Sequence, residues 1–498
     1  MHLSNDHRPT TDVPCCVILA AGAGRRLSIL GKGPKPTNEI LGLSLGERTV
    51  LACMAAGVSR FIIVLGSQAE AVRAHFEQVS ARRGCAVEFV VAADWELGNG
   101  MSVLAAMDSI SNNCFLLVMA DHLVSAELIR KVLQTSLGDR EVCLAVDKDG
   151  ARVFDPDDAT KVQIKDGMIE GIGKQLDVWN AIDTGVFLAT PALFDALTRA
   201  AVQGRYALSH GIELLAEAGQ ARAVDVTGEP WLDVDTPDSH REAQRQLLGS
   251  LGKNGADGFI STHLNRRLSV PLSARLVRTA ITPTQITVIS FLIALVGAAF
   301  FTVDRLWASI VAASLVQLSS VIDGCDGEVA RLRHLATSNG AWLDTMLDRY
   351  ADTAVVMAIT LGYATGHPGV LPWLGGLAAS SGFLLASYST KEFVLTHGAP
   401  YPDDVLNRLK RRDLRLLVIV CGGLVGYPYY AMVVMGLLTH GAVVGVLVNG
   451  WRLQPGVAGV ALVPGRQSFT RPRLALAVAG TSSPRASTPS RPANVPAD

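Results

Sequence analysis

"DGCDGEVARLRHLATSNGAWLDTMLD", residues Asp323 to Asp348, sets four aspartates in a stretch flanked on both sides by long apolar runs. On a helix Asp323 and Asp326 are three apart and share a face, while Asp344 and Asp348, four apart, share a face of the next helix. The two faces can converge on one acidic cluster. Like charges brought together near lipid need cations, and oxygen-only ligands suit Mg²⁺, Mn²⁺ or Ca²⁺ rather than zinc. Two such ions about 3.5 to 4 Å apart could clamp a diphosphate. Gly327 and Gly340 remove bulk where helices or a nucleotide must approach closely.

Composition agrees with a bilayer around that cluster. Of 498 residues, 49% are hydrophobic and only 18% charged, against about 25% charged in soluble chains, and mean hydropathy is +0.30. From about residue 280 the apolar runs reach spanning length. Six spans are predicted: Ile286 to Val303, Leu306 to Ile322, Met346 to Tyr363, Val370 to Tyr388, Leu416 to Tyr427 and Ala431 to Trp451, the fifth short and Gly-rich. With the first half in the cytosol, loops on that side hold Lys253, Arg266, Arg267, Arg275, Arg278, Arg331, Arg333, Lys391 and the basic run Arg408 to Arg415. The opposite loops hold Arg305. The positive-inside rule then predicts a multi-pass protein of the cell membrane with its N-terminal domain and C-terminal tail cytoplasmic.

The net charge of −1 gives no argument for nucleic acid as a partner. Eight scattered cysteines without a CxxC pair indicate neither a zinc site nor a disulfide framework, and fit a reducing compartment.

Before residue 250 the pattern changes to short runs of strand length, "CCVILA", "RFIIVLG", "VEFVVA" and "CFLLVMA", separated by stretches with helical spacing. This predicts an α/β domain with a mostly parallel, Rossmann-like sheet, followed by an all-α six-helix transmembrane domain. Residues 1–13 read as a flexible N-terminus, 14–250 as the cytosolic domain and 251–280 as a basic interfacial linker or helix. Residues 281–452 read as the membrane domain, and 453–498 as a disordered Pro/Ser-rich tail.

In the first domain "VILAAGAGRRLSILGKGPK" runs from a strand into a glycine-rich loop, which presents backbone N–H groups to phosphates. The dinucleotide fingerprint GxGxxG is absent, which disfavours a dehydrogenase. Asp121 follows a strand, where α/β sheets bind ligands. His122 and His75 have no partner at ligand spacing and read as ordinary surface or packing histidines.

Two resemblances add to these readings. The glycine loop is similar to the LAAGxGxR…PK signature of nucleotidyltransferases that activate sugar phosphates and related phosphates. That resemblance implies a phosphate loop at Ala20, Ala21, Gly22 and Gly24, with Arg26 and Lys35 neutralising a triphosphate as pyrophosphate leaves. It implies metal ligation by Asp121 and by Asp233 and Asp235 of "WLDVDTPDS", and base and ribose contacts from Gly98, Asn99 and Gly100. Asp183 in "NAIDTGVFLAT" would contact substrate hydroxyls.

The aspartate stretch matches D-x-x-D-G-x-x-A-R-x8-G-x3-D-x3-D and resembles the CDP-alcohol phosphatidyltransferases. Asp323, Asp326, Asp344 and Asp348 would then form the Mg²⁺ or Mn²⁺ site, with Asp348 also the base that deprotonates the acceptor. Gly327, Ala330 and Arg331 would line the CDP site near Gly340, while Asp352 stays unassigned.

The order of the two domains resembles a family of bifunctional inositol-1-phosphate cytidylyltransferases and di-myo-inositol phosphate phosphate synthases. This implies CTP, inositol 1-phosphate and a CDP-alcohol as partners, beside the bilayer. It also implies a homodimer through the membrane helices, where the small residues of "LGGLAASSG" would permit close packing. That family is best represented in hyperthermophiles, whose chains favour Lys and Glu; the low charge here departs from that. A phospholipid synthase using CDP-diacylglycerol or another CDP-alcohol is the alternative.

Overall fold

The computed structural model describes residues 14–24, 33–111, 114–150, 153–251 and 264–452. The expectations for the two terminal segments, for Arg26 and for the middle of the linker lie outside the described residues.

The apolar runs of the first half form one nine-stranded sheet. Across it the strands are Ala86–Val91, Arg60–Leu65, Cys16–Ala20, Phe115–Met119, Ala181–Ala189, Val142–Asp147, Ala221–Asp225, Met168–Gly173 and Lys161–Lys165. Alternate side chains fill opposite faces, as the strand period requires. Val17, Leu19, Ile62 and Phe187 pack on one side, and Cys16, Ile18, Phe61 and Leu116 on the other.

The sheet is mixed rather than mostly parallel. Pairing is parallel from Ala86–Val91 across to Phe115–Met119, but Ala181–Ala189 runs antiparallel to both Phe115–Met119 and Val142–Asp147. One further antiparallel pairing has a local cause: Lys161–Lys165 and Met168–Gly173 are joined by Asp166 and Gly167, both at positive φ (50° and 80°). A two-residue Asp-Gly turn reverses the chain and leaves no length for the crossover that parallel strands need.

From Pro283 onward six helices form a bundle: Pro283–Phe301, Leu306–Leu332, Ser338–Gly366, Leu371–His397, Arg412–Leu424 and Pro428–Arg452. The first starts with a capping box. Thr282 Oγ1 accepts the Gln285 N–H at 3.2 Å, and Gln285 Oε1 accepts the Thr282 N–H at 2.9 Å. The first, second and sixth helices are long and apolar enough to cross a membrane. The fifth has only 13 residues. Phe301, Val316, Ile359, Phe383, Ile419 and Met432 form the bundle core. The small residues of "LGGLAASSG" are used within the chain, since a Cβ on Gly375 would overlap Tyr429 and one on Gly376 would overlap Thr360.

Guanidinium groups join the two halves. Arg48, only 4% exposed, donates to the carbonyls of Ile40 (2.6 Å), Leu41 (3.1 Å) and Leu332 (3.3 Å). Arg83 donates to the Arg333 carbonyl at 3.1 Å. Arg333 in turn donates to the Val277 and Ile281 carbonyls, both at 2.8 Å. Positive charge at the exit of the second bundle helix satisfies carbonyls that have no intrahelical donor. Ile40, Leu45, Val277 and Leu332 pack beside these bonds in one apolar cluster. Replacing Arg48 by Ala strands three buried carbonyls, so we expect a loss of about 2 kcal/mol or more. A clear fall in the thermal unfolding midpoint in detergent would report it, and an unchanged midpoint would contradict this view of the seam.

Candidate active sites

The first site sits where the strand Phe115–Met119 ends. The short strands His122–Val124 and Trp231–Asp233 pair antiparallel with Asp233 opposite His122, which carries two distant segments to the same place. Ligating atoms of Asp121, His122 and Asp233 lie within 4.8 Å of one another. Lys35 enters from the other side, 7% exposed, with Nζ 2.6 Å from Asp121 Oδ2, 3.5 Å from Asp233 Oδ1 and ion-paired to Asp235. Gly24, at φ +57°, makes that entry possible, because a Cβ there would stand 2.6 Å from the Lys35 Cβ. Lys35, Asp121, Asp233 and Asp235 thus meet.

His122 differs from its expectation. Its Nδ1 is 2.9 Å from Asp121 Oδ1 and 3.9 Å from Asp233 Oδ1. Its partner Asp233 is remote in sequence and is supplied by strand pairing, which residue spacing could not reveal. Gly185, at φ +76°, leaves room for the imidazole, since a Cβ there would be 2.8 Å from its Cδ2. His75 is the packing histidine expected, with Nε2 2.7 Å from Ser44 Oγ.

The electrostatics follow from burial opposed by neighbouring charge. Burial alone would raise the Asp121 pKa, but the Lys35 ammonium and His122 hold it well below the usual carboxylate range. Burial would lower that of His122, yet Asp233 and Asp121 push it up to about 8. Asp183 is pushed up to about 6 by burial, with the Gly185 N–H donating to its Oδ1 at 2.7 Å as partial compensation.

Asp183, Ala21, Gly22 and Asn99 line one large cavity with Asp121 and Asp233. Ala20, Gly24 and Lys35 border a smaller one of about 250 Å³. Gly98 and Gly100 serve packing: a Cβ on either would lie 2.6 Å from the Tyr206 carbonyl oxygen. Asn99 Oδ1 accepts the Leu208 N–H at 2.8 Å.

The second site joins four bundle helices. Carboxylate oxygens of Asp323 and Asp326 on the second helix and Asp344 on the third lie within 4.8 Å of one another. Two side chains of the first helix orient them. Thr287 Oγ1 donates to Asp326 Oδ2 at 2.5 Å, and Ser290 Oγ donates to Asp323 Oδ1 at 3.2 Å. Arg412, at the start of the fifth helix, puts Nη1 2.8 Å from Asp348 Oδ1 and 3.1 Å from Asp323 Oδ2. Its Nε donates to Asp352 Oδ1 at 3.0 Å, which gives that residue the task of holding Arg412.

Arg331 folds back over Gly327, with Nη1 3.2 Å from where a Cβ would sit. Ala330 is buried in the helix interface. Gly340 donates its N–H to Thr337 Oγ1 at 3.0 Å and so belongs to the start of the third helix. Sequence reasoning did not single out Thr287 or Ser290, and it met Arg412 only as part of the basic run Arg408 to Arg415. Two hydroxyls three residues apart in an otherwise apolar span were the available signal for the first pair.

Both clusters fit a divalent cation. Asp233 Oδ1 and Asp344 Oδ1 are buried without a hydrogen-bond partner among the described residues, and carboxylate oxygens dominate each set.

Comparison with known proteins assigns residues 16–222 to the MobA-like NTP transferase domain and residues 280–447 to the CDP-alcohol phosphatidyltransferases. The bifunctional IPC transferase and DIPP synthase of Rubrobacter xylanophilus is 36% identical over 423 residues, covering 84% of this chain and 93% of that protein. The protein of the same name from Aquifex aeolicus is 32% identical over 455 residues, covering 89% of this chain and 100% of that one. Among solved structures, the inositol-1-phosphate CTP transferase from T. maritima is 26% identical. It covers 49% of this chain and 98% of that one, with a TM-score of 0.44. The chain belongs to the family of bifunctional IPC transferase and DIPP synthases.

Proposed function

We propose that the chain carries out two consecutive transfers. In the first domain a phosphate oxygen of inositol 1-phosphate attacks the α-phosphorus of CTP, the bond to the β-phosphate breaks, and CDP-inositol and pyrophosphate form. In the second, a hydroxyl of another inositol 1-phosphate attacks the inositol-bearing phosphorus of CDP-inositol, and CMP leaves as the phosphodiester forms. The observation that carries this reading is the convergence of Asp323, Asp326 and Asp344 within 4.8 Å, with Arg412 holding Asp348 beside them.

Mg²⁺ or Mn²⁺, held by Asp121 and Asp233 in one site and by Asp323, Asp326 and Asp344 in the other, would supply charge neutralisation of the phosphates. The chain's own groups do the rest. Lys35 offers the triphosphate a cation beside the glycine loop, and Asp183 faces the large cavity, with Asp121 and Asp233, to receive substrate hydroxyls. Asp348 takes the proton of the attacking hydroxyl. Arg331 over Gly327 is placed to pair with the CDP diphosphate.

Arg412, once cations balance the aspartates, can turn to the acceptor's phosphate. Arg415 stands nearby with Nε and Nη1 buried and without hydrogen-bond partners among the described residues. Thr287 and Ser290 keep Asp326 and Asp323 in register throughout.

The same reading has all six bundle helices crossing the cell membrane, with the N-terminal domain and the C-terminal tail on the cytoplasmic side. Supporting it are the outward apolar side chains Leu292, Leu377, Leu437 and Trp451, and the basic residues gathered at the end that meets the first domain. A homodimer through these outward faces is part of the proposal.

Asp348→Ala should slow the second step by about 10²- to 10⁴-fold, so that CDP-inositol accumulates while pyrophosphate release continues. Asp121→Asn should do the reverse, stopping CTP consumption while supplied CDP-inositol is still converted. Equal loss of both steps in either variant would contradict the division of labour. Chelation should stop both steps. Mn²⁺ titration followed by electron paramagnetic resonance should show one class of sites lost in Asp344→Asn, and retention of every site would contradict the second metal assignment.

A further inference from the structure

We infer that the CDP-alcohol made at the first site reaches the second through the cavity between them, without leaving the protein; this rests on the two-step reading above. The cavity has a volume of about 1220 Å³, beyond the roughly 300 to 1,000 Å³ of a pocket for one small ligand. Its walls include Asp121, Asp183 and Asp233 of the first site. They also include Arg331, Leu332 and His334, where the second bundle helix ends.

Arg331 belongs to both places. It borders the cavity, yet its guanidinium lies back over Gly327, the residue next to Asp326. Arg331 lies five positions on from Asp326, a helical rise of about 7.5 Å. A diphosphate leaving the first site therefore meets, on a wall of the same space, a cation that already leans toward the second cluster. An anion is drawn to such a charge.

The seam keeps these two sets of wall residues in register. Arg48 binds the Leu332 carbonyl, and its neighbour Thr49 donates through Oγ1 to the His122 carbonyl at 3.2 Å. One short helix, Leu45–Ala55, thus touches the wall of the first site and the exit of the helix that carries Asp323 and Asp326.

The test uses the full-length protein in detergent with Mg²⁺, inositol 1-phosphate, CTP labelled in the cytosine ring, and a large excess of unlabelled CDP-inositol. Direct delivery sends early label into CMP without a lag. Label trapped in the CDP-inositol pool, with labelled CMP reduced by the pool-to-product ratio, would overturn the proposal. An equimolar mixture of Asp121→Asn and Asp348→Ala proteins, which must exchange the intermediate through solution, supplies the behaviour of that outcome.

Gly249 borders the cavity, and a Cβ there meets nothing within 4 Å. Gly249→Trp should leave each half-reaction, assayed with its own substrates, at the wild-type rate and divert label into the pool. A Gly249→Trp protein that still delivers label directly would overturn this route. Absence of label from both CDP-inositol and CMP would instead sink the two-step reading itself.

Discussion

Aspartates gathered at the end of a helix bundle repel one another, and Arg412 lies among them to balance that charge. Its guanidinium reaches Asp323, Asp348 and Asp352 at once, so three helices share one charge-balanced contact. Removing one partner of a buried ion pair leaves the other uncompensated, which costs far more than the pair contributes. The placement of the fifth helix, short as it is, follows from this contact as much as from its apolar core residues Leu416 and Ile419.

The first domain meets the same difficulty in the same way. Lys35 stands among Asp121, Asp233 and Asp235, inserted past a glycine that has no side chain to obstruct it. In each site a basic side chain balances carboxylates that also suit a divalent ion. The cation is therefore positioned before substrate arrives, and the same side chain can pass to a phosphate oxygen without a large rearrangement of backbone. Two unrelated folds, a mixed sheet and a helix bundle, reach this arrangement independently.

Much of this was legible in the sequence because it was local. The four strand-length runs fall on four neighbouring strands of the sheet, and the aspartate spacing placed three carboxylates on two facing helices. One antiparallel pairing of the sheet was written in "KDGM", whose Asp-Gly pair forms the two-residue turn; the expectation of parallel strands passed over it. His122, Asp352 and Arg412 were not legible, since each acquires its role from a partner brought near by tertiary folding. The seam was equally hidden. Arg48 and Arg83 carry no motif, and their acceptors are backbone carbonyls, which every sequence possesses.

The central claim is that one chain performs both transfers in succession. The measurement that tests it most directly is a phosphorus NMR time course of the wild-type protein in detergent with CTP, Mg²⁺ and inositol 1-phosphate as the only substrates. The account predicts pyrophosphate, CMP and an inositol phosphodiester in equal final amounts. CTP left unconsumed, or pyrophosphate released with no phosphodiester ever formed, would contradict it.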